Sequence, residues 1–142
     1  MRRAVLDSVI FVRALINPFS MWGRLVFDLT DTYLLVTSPD IVAEVQSVII
    51  RPRLLVRYPR MADPARVALI AAVLDDAEMF APDAVPPVCR DQKDDKFFAC
   101  AVAGRADYIV SEDEDVLAVA EYEGARTIRT AAFLKLLDEA AR

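Results

Sequence analysis

The segment ADYIVSEDEDVL, residues 106–117, joins a short apolar run to an acidic turn. Its centre, Tyr108–Val110, combines aromatic and β-branched side chains between charged residues, which is typical of a buried strand. A helix is predicted to begin at about Asp115. Asp113 would then lie just past the carboxyl end of the strand, which is where open α/β sheets bind their ligands.

The amino terminus repeats this pattern. The apolar run Ala4–Leu6 ends at Asp7 and predicts another buried strand. A helix at Val9–Ile16 follows and stops before Pro18, because the residue preceding a proline disfavours the helical conformation. If the two strands are neighbours in one sheet, the carboxylates of Asp7 and Asp113 face the same crevice.

Strand and helix patterns alternate along the rest of the chain, apart from a proline-rich loop at Pro82–Arg90. Further strands are predicted at Tyr33–Val36, Met79–Ala81 and Thr127–Ile128, and further helices at 20–29, 38–50, 63–76, 94–103 and from residue 130. Alternation with apolar strands predicts an α/β fold with a central, mostly parallel sheet covered by helices on both faces. The length of 142 residues predicts a single domain over 1–142.

Composition excludes several kinds of chemistry. The chain has no histidine, which excludes Ser-His-Asp triads, Cys-His pairs and histidine-bound zinc. Its three glycines lie too far apart to form a phosphate-binding loop. The net charge of −5 argues against a general basic coat for nucleic acid. The two cysteines form no disulfide framework, and no signal peptide or membrane-spanning run is visible, so we expect a cytoplasmic protein that does not bind membranes.

Two more acids stand on apolar helix faces. Glu44 lies on the shoulder of such a face, where a carboxylate needs a partner; a solvated or arginine-paired side chain is the alternative. Asp94 shares the inward face of its predicted helix with Phe97 and Phe98, and the alternative there is helix capping. Asp95 is turned about 100° away and is either a supporting acid or a solvated charge.

Carboxylates from four separate segments, with no cluster of soft ligands, suit a hard divalent cation such as Mg²⁺ or Mn²⁺. The chemistry that fits best is metal-assisted attack of water on a phosphodiester. The ion neutralises phosphate charge and lowers the pKa of a bound water. No protein base is required, so the absence of histidine is accommodated.

A basic stretch lies between the third and fourth predicted helices. Its arginines are Arg51, Arg53, Arg57, Arg60 and Arg66. One interpretation is contact with RNA or a protein partner, above all through the first four. The other is a solvated face whose arginine stems cover apolar surface.

Four blocks of sequence resemble the PIN-domain family. They are Val5-Leu6-Asp7, residues 38–45 followed by 51–54, residues 89–98 and residues 106–117. The blocks run over nearly the whole chain in the family's order and spacing, and the last is the most specific. Within the family, the resemblance is to the toxins of bacterial and archaeal toxin–antitoxin operons.

This resemblance implies a three-layer α/β/α fold, Mg²⁺- or Mn²⁺-dependent endoribonuclease activity, an antitoxin partner and a homodimer. It also assigns site residues. The family's four catalytic, metal-holding acids correspond to Asp7, Glu44, Asp94 and Asp113, a frequent additional acid to Asp115, and a small hydroxyl residue to Ser111. Asp95 is expected to assist.

One position departs from the family pattern. Val9 stands where an asparagine usually follows the first aspartate by two residues and helps to orient the metal site. Ser8 could compensate in part. The departure favours an alternative function, a catalytically weak relative that mainly binds a protein partner or RNA. A phosphoacceptor receiver domain fits less well, because none of the three lysines is placed as that fold requires.

Overall fold

The computed structural model describes residues 1–141, in which strands and helices alternate as expected. The strands are β1 (Arg3–Leu6), β2 (Leu34–Thr37), β3 (Glu78–Met79), β4 (Tyr108–Val110), β5 (Glu121–Tyr122) and β6 (Ala125–Ile128). The helices are α1 (Ser8–Ile16), α2 (Met21–Gly23), α3 (Pro39–Ile49), α4 (Pro52–Arg57), α5 (Pro64–Asp76), α6 (Asp95–Ala103), α7 (Glu114–Leu117) and α8 (Thr130–Ala140). A π-helical turn follows α2 at Arg24–Asp28, and 3₁₀ turns lie at Pro59–Ala62 and Gln92–Asp94.

The strands form one sheet in the order β3-β2-β1-β4-β6-β5. All neighbours are parallel except β5 and β6. β1 is central, with Val5 opposite Val36 of β2 on one side and opposite Ile109 of β4 on the other. The first strand and Tyr108–Val110 are therefore neighbours, which is the condition under which Asp7 and Asp113 face the same crevice.

Helices cover both faces of the sheet, because successive strand residues point to opposite sides. Ala4 and Leu6 pack into one apolar cluster with α1, the π-helical turn, α5 and α8. Val5 and Ile109 pack into a second cluster with α6 and α7. The protein is thus a three-layer α/β/α structure, as the sequence predicted.

Two helix starts combine a capping side chain with proline. The Ser38 hydroxyl accepts a hydrogen bond from the backbone N–H of Ile41 at 3.3 Å, and Pro39 is the first residue of α3. At α5, Asp63 caps in the same way ahead of Pro64. Each cap satisfies an amide that would otherwise lack a partner, and proline suits the first turn because its missing N–H costs nothing there.

Gly23 permits a close approach between α2 and the turn before it. A Cβ atom at this position would lie 2.0 Å from the carbonyl oxygen of Pro18. Only glycine therefore allows α2 to sit against the end of α1. Trp22, its neighbour, is placed beside α1 by the same contact.

The short elements depart from the predictions. The third strand is Glu78–Met79 rather than Met79–Ala81, and helix α4 and strand β5 were not predicted. Strands of two residues carry too little hydrophobic alternation to be recognised. Helix α4 begins at Pro52, and the Arg51-Pro52 pair had been interpreted only as the end of the preceding helix.

Among the described residues, no single helix is long and apolar enough to cross a bilayer; only α1 joined to residues 21–28, bent by 115°, meets the length and composition test. Cys89 is half-buried and Cys100 is buried, and in residues 1–141 both are free thiols.

Candidate active site

The candidate site lies where the carboxyl ends of β1 and β4 meet. The backbone N–H of Asp7 donates to the carbonyl of Val110 at 2.9 Å, which extends the pairing of the two strands by one step. α1 starts directly after Asp7, and α7 starts directly after Asp113. The sheet therefore brings together two acids that are far apart in the sequence.

A buried serine connects these two acids. The hydroxyl of Ser111 donates to Oδ2 of Asp7 at 2.6 Å and accepts from the backbone N–H of Asp113 at 3.0 Å. Ser111 is fully buried. Ser111 therefore contacts both acids, and its supporting role stays a prediction.

Asp7 is an almost fully buried carboxylate. Its other oxygen, Oδ1, accepts from the backbone N–H of Val9 at 3.1 Å. Burial raises the pKa of Asp7 above 3.8, and the negative charges of Glu44 and Asp113 raise it further, although the hydrogen bonds from Ser111 and Val9 oppose the shift. A cation near Asp7 would relieve this cost.

Asp94 ends the 3₁₀ turn before α6 and faces the same cluster. Its Oδ2 atom is buried and, within residues 1–141, has no hydrogen-bond partner. Burial raises the pKa of Asp94 from 3.8 to about 7, and the adjacent carboxylate of Asp113 adds to the shift by proton sharing and charge repulsion. Asp94 does not cap α6 with its side chain, so the capping interpretation is wrong.

Asp113 and Asp115 occupy the start of α7. Oδ1 of Asp113 accepts from the backbone N–H of Asp115 at 2.9 Å. The carbonyl of Asp115 accepts from the thiol of Cys89 at 3.2 Å. Burial raises the pKa of Cys89, and the charges of Asp94, Asp115 and Asp95 raise it further. Asp115 thus lies at the edge of the cluster.

Glu44 reaches the cluster from α3 and is bound by a lysine. Its carboxylate forms an ion pair with Nζ of Lys96 on α6, and both side chains are largely shielded from water. Glu44 is therefore paired with a lysine, whereas the alternative offered by the sequence was a solvated or arginine-paired side chain. This ion pair was not predicted; the signal would have been a lysine two residues after Asp94 on a helix whose next residues are phenylalanines.

The two remaining supporting residues differ in what they contact. Ser8 is buried, and its hydroxyl has no partner among residues 1–141. Asp95 is buried rather than solvated, and its Oδ1 accepts from the backbone N–H groups of Val88 and Cys89 at 3.0 and 2.7 Å. Asp95 therefore holds the loop before α6.

The predicted basic stretch divides into two parts. Arg66 donates to the carbonyls of Leu15 and Ile16 at 2.9 and 3.3 Å and so caps the carboxyl end of α1. The others, Arg51, Arg53, Arg57 and Arg60, are exposed on α4 and its flanking turns, and in residues 1–141 none forms an ion pair.

A small cavity of about 150 Å³ opens beside the acids. It is lined by Asp7, Val9, Arg13, Glu112 and Asp113. Arg13 was not predicted as a site residue, although it is the one charged residue in the sequence of α1 and follows Asp7 by six positions. A larger cavity of about 230 Å³ near the amino ends of β2 and β3 is mainly apolar and shares no lining residue with the acids.

The donor set fits a hard divalent cation in its chemistry. Asp7, Asp94 and Asp113 offer only carboxylate oxygens, and Oδ2 of Asp94 is buried without a partner in the described chain. In residues 1–141, however, no three acidic or cysteine side chains already stand in the arrangement that a bound ion requires. Holding an ion would need these side chains to move closer together, and Lys96 competes with the ion for the carboxylate of Glu44.

The chain is similar to known proteins in sequence pattern and in fold. The sequence model of the PIN domain matches residues 3–115. The crystal structure of VapBC2 from Rickettsia felis, bound to a DNA fragment from their promoter, superposes with a TM-score of 0.59 at 12% identity, covering 89% of this chain and 98% of that one. PAE2754 from Pyrobaculum aerophilum gives 0.60 at 17% identity, with coverage of 100% and 91%. No curated protein matches this chain by sequence.

Proposed function

Because the chain belongs to the PIN-domain family, we propose that it is a metal-dependent endoribonuclease that hydrolyses phosphodiester bonds of RNA. The observation that carries the proposal is the meeting of Asp7, Asp94 and Asp113 at the carboxyl ends of two adjacent central strands. Burial and mutual repulsion raise the pKa values of Asp7 and Asp94. A cation bound between these carboxylates would offset the repulsion. Asp7, Asp94 and Asp113 repel one another, and Glu44 repels Asp7.

In this proposal, Asp7, Asp94 and Asp113 hold Mg²⁺ or Mn²⁺, with Glu44 joining once it leaves Lys96 and Asp115 assisting at the edge. A bound ion would polarise the phosphate and lower the pKa of an attacking water. Ser111 fixes the orientation of Asp7 through its 2.6 Å hydrogen bond. Such positioning matters because small displacements of ligands weaken metal binding and catalysis.

We further propose that the protein is the toxin of a toxin–antitoxin pair, acts in the cytoplasm, forms a homodimer and is bound by a cognate antitoxin. The fold similarity to VapBC2 supports this role. So does the resemblance of the sequence blocks to PIN toxins. Residues 1–142 would form one nuclease domain, since a single sheet runs through the described residues.

A second candidate function is a catalytically weak PIN domain that mainly binds a protein partner or RNA. Val9 in the cavity provides no oxygen, and Lys96 occupies the carboxylate of Glu44. The acids of the described chain also do not yet form a three-ligand set. Each of these observations lowers the expected affinity for an ion.

The variant Asp7→Asn tests the first proposal. Asparagine is neutral and has nearly the same shape, so the fold should be retained while the central carboxylate is lost. We expect Mn²⁺-dependent cleavage of labelled single-stranded RNA by the wild type, none by Asp7→Asn, and unchanged cleavage by Asp75→Asn, an exposed acid on α5. Thermal denaturation checks folding.

A calorimetric titration with Mn²⁺ separates the two candidate functions. Uptake of metal by the wild type and its loss in Asp7→Asn support the nuclease. A wild type that takes up no Mn²⁺ at millimolar concentration supports the binding function. Metal-dependent cleavage that persists in Asp7→Asn contradicts the assignment of the site.

A further inference from the structure

Arg13 is the one cation among the residues that line the acidic cavity. It lies on α1, six residues after Asp7, and is half-buried. The other lining residues are three acids and Val9, which is 46% exposed. Any anion that approaches these acids is repelled by them, and Arg13 is the side chain that opposes this repulsion.

The acids of the cavity are already engaged by other donors. Glu112 accepts from the backbone N–H of Thr130 at 3.1 Å and lies 3.6 Å from the guanidinium of Arg129. Asp7 and Asp113 accept from the hydroxyl and backbone groups described above. Within residues 1–141, no carboxylate forms an ion pair with Arg13. Its N–H donors are therefore available to a ligand.

Trp22 holds this guanidinium in place. The central carbon of the Arg13 guanidinium lies 4.7 Å from the centroid of the Trp22 ring, which is within the range of a cation–π contact. A cation–π contact uses none of the N–H donors of arginine, so the Trp22 ring leaves them available for hydrogen bonds. Trp22 precedes Gly23, whose lack of a Cβ atom permits the close approach of α2 to Pro18.

We propose that Arg13 binds a phosphate of the RNA strand beside the acidic site, with Trp22 as the positioning residue. This inference rests on the proposed function, and it adds the substrate contact that the acids cannot make. Phosphate and carboxylate both accept two parallel N–H bonds from arginine, and a strand phosphate is favoured because its ester neighbours lead into the acidic crevice where the proposed reaction occurs. The contact is made to the backbone and is therefore independent of base sequence.

The test measures binding of a fluorescein-labelled single-stranded RNA by anisotropy in EDTA, across a series of NaCl concentrations. Arg13→Ala and Arg13→Gln should weaken binding about tenfold and reduce the slope of log K against log salt by about 0.7, the value for one lost phosphate contact on a single strand. Arg13→Lys keeps the charge and should keep the slope. Trp22→Leu should weaken binding less than Arg13→Ala.

Arg126→Ala is the matched control. Arg126 is exposed at the start of β6, at the end of the sheet opposite the acidic site, so this variant should bind RNA as the wild type does. Glutamine retains the length of the side chain, so Arg13→Gln keeps the test valid if the alanine variant does not fold. A wild-type slope in both neutral variants overturns the inference, whether or not the protein cleaves RNA, and leaves a contact with a protein partner as the use of Arg13.

The RNA-binding test of Arg13 and the RNA-cleavage test of the nuclease can fail independently of each other. Wild-type protein that binds RNA through Arg13 but never cleaves it with Mn²⁺ supports the contact and contradicts the nuclease. Cleavage with no change in the neutral variants supports the nuclease and overturns the contact. A wild type that does not bind RNA overturns the contact, and the cleavage assay then decides the nuclease independently.

Discussion

At the scale of single residues, Val9 is the position where the site departs most from the family pattern. Its backbone N–H serves Asp7, but its side chain offers only methyl groups to the cavity. Almost half of it is exposed, which is unusual for a valine that begins a helix packed on a core. The position is therefore open to an oxygen ligand without repacking.

We predict that Val9→Asn increases Mn²⁺ affinity about tenfold, the lower end of what groups supporting a metal site contribute. The amide oxygen would enter the cavity beside Asp7 and accept from water bound to the ion. Isothermal titration measures the affinity, and initial rates of RNA cleavage should rise with it. Val9→Ala is the control that removes the methyl groups without adding oxygen, and equal behaviour of the two variants would contradict the prediction.

At the scale of elements, the sequence predicted the strands and helix starts that neighbouring residues determine. Ala4–Leu6 and Tyr108–Val110 are recognisable because their apolar runs end at acids, and Ser38 and Asp63 because each precedes a proline. The pairing of Glu44 with Lys96 was not predicted, because it joins residues 52 positions apart across two helices. The lysine beside two phenylalanines indicated a shielded charge, but only packing determines which carboxylate is its partner.

Arg13 illustrates the same limit. Its sequence neighbours on α1 are apolar, so the sequence gives no reason to connect it with Asp113 or Trp22. The structure connects them because α1 begins at Asp7 and α2 folds back over α1 after Pro18. A single charge within an otherwise apolar helix was the available signal.

The loop before α6 provides a prediction at this scale. Asp95 accepts two backbone N–H groups, from Val88 and Cys89, and is 3% exposed. Asp95→Ala leaves both donors without a partner and should destabilise the fold by about 2–3 kcal/mol. Chemical denaturation measures the loss, with Asp75→Ala as a control on an exposed acid.

Cysteine labelling tests whether the loss of stability in Asp95→Ala arises in the loop before α6. We expect the thiol of Cys89 to react slowly in the wild type because burial raises its pKa, and loosening of the loop should expose it. We therefore expect faster labelling of Cys89 by a disulfide reagent in Asp95→Ala, while the buried Cys100 stays protected. An unchanged labelling rate would mean that the loop is held by other contacts.

At the scale of the whole molecule, the acidic cluster couples stability to pH. Asp94 has a pKa raised from 3.8 to about 7, and the pKa of Asp7 is raised as well. Because the folded protein binds these protons more tightly than the unfolded chain, their contribution to stability falls as pH rises through the window from about 4 to 7. In the absence of metal, the cluster therefore weakens the fold at neutral pH.

We predict that the melting temperature in EDTA decreases less between pH 5 and pH 8 for Asp94→Asn than for the wild type. Mn²⁺ should raise the melting temperature of the wild type at pH 8, because an ion that binds only the folded state stabilises it by mass action. Thermal scans at the two pH values, with and without Mn²⁺, give the comparison. Equal pH dependence in the two proteins would show that Asp94 is not the titrating group.

The order of strands in the sheet has a consequence for synthesis. Asp7 and Asp113 meet because β1 and β4 are neighbours, yet 106 positions separate them in the chain. Asp7 leaves the ribosome before Asp113. The delay between them is on the order of ten seconds at ordinary elongation rates. Under the proposed function, the nascent chain therefore cannot complete its metal site, and cannot cleave RNA, until Asp113 has left the ribosome.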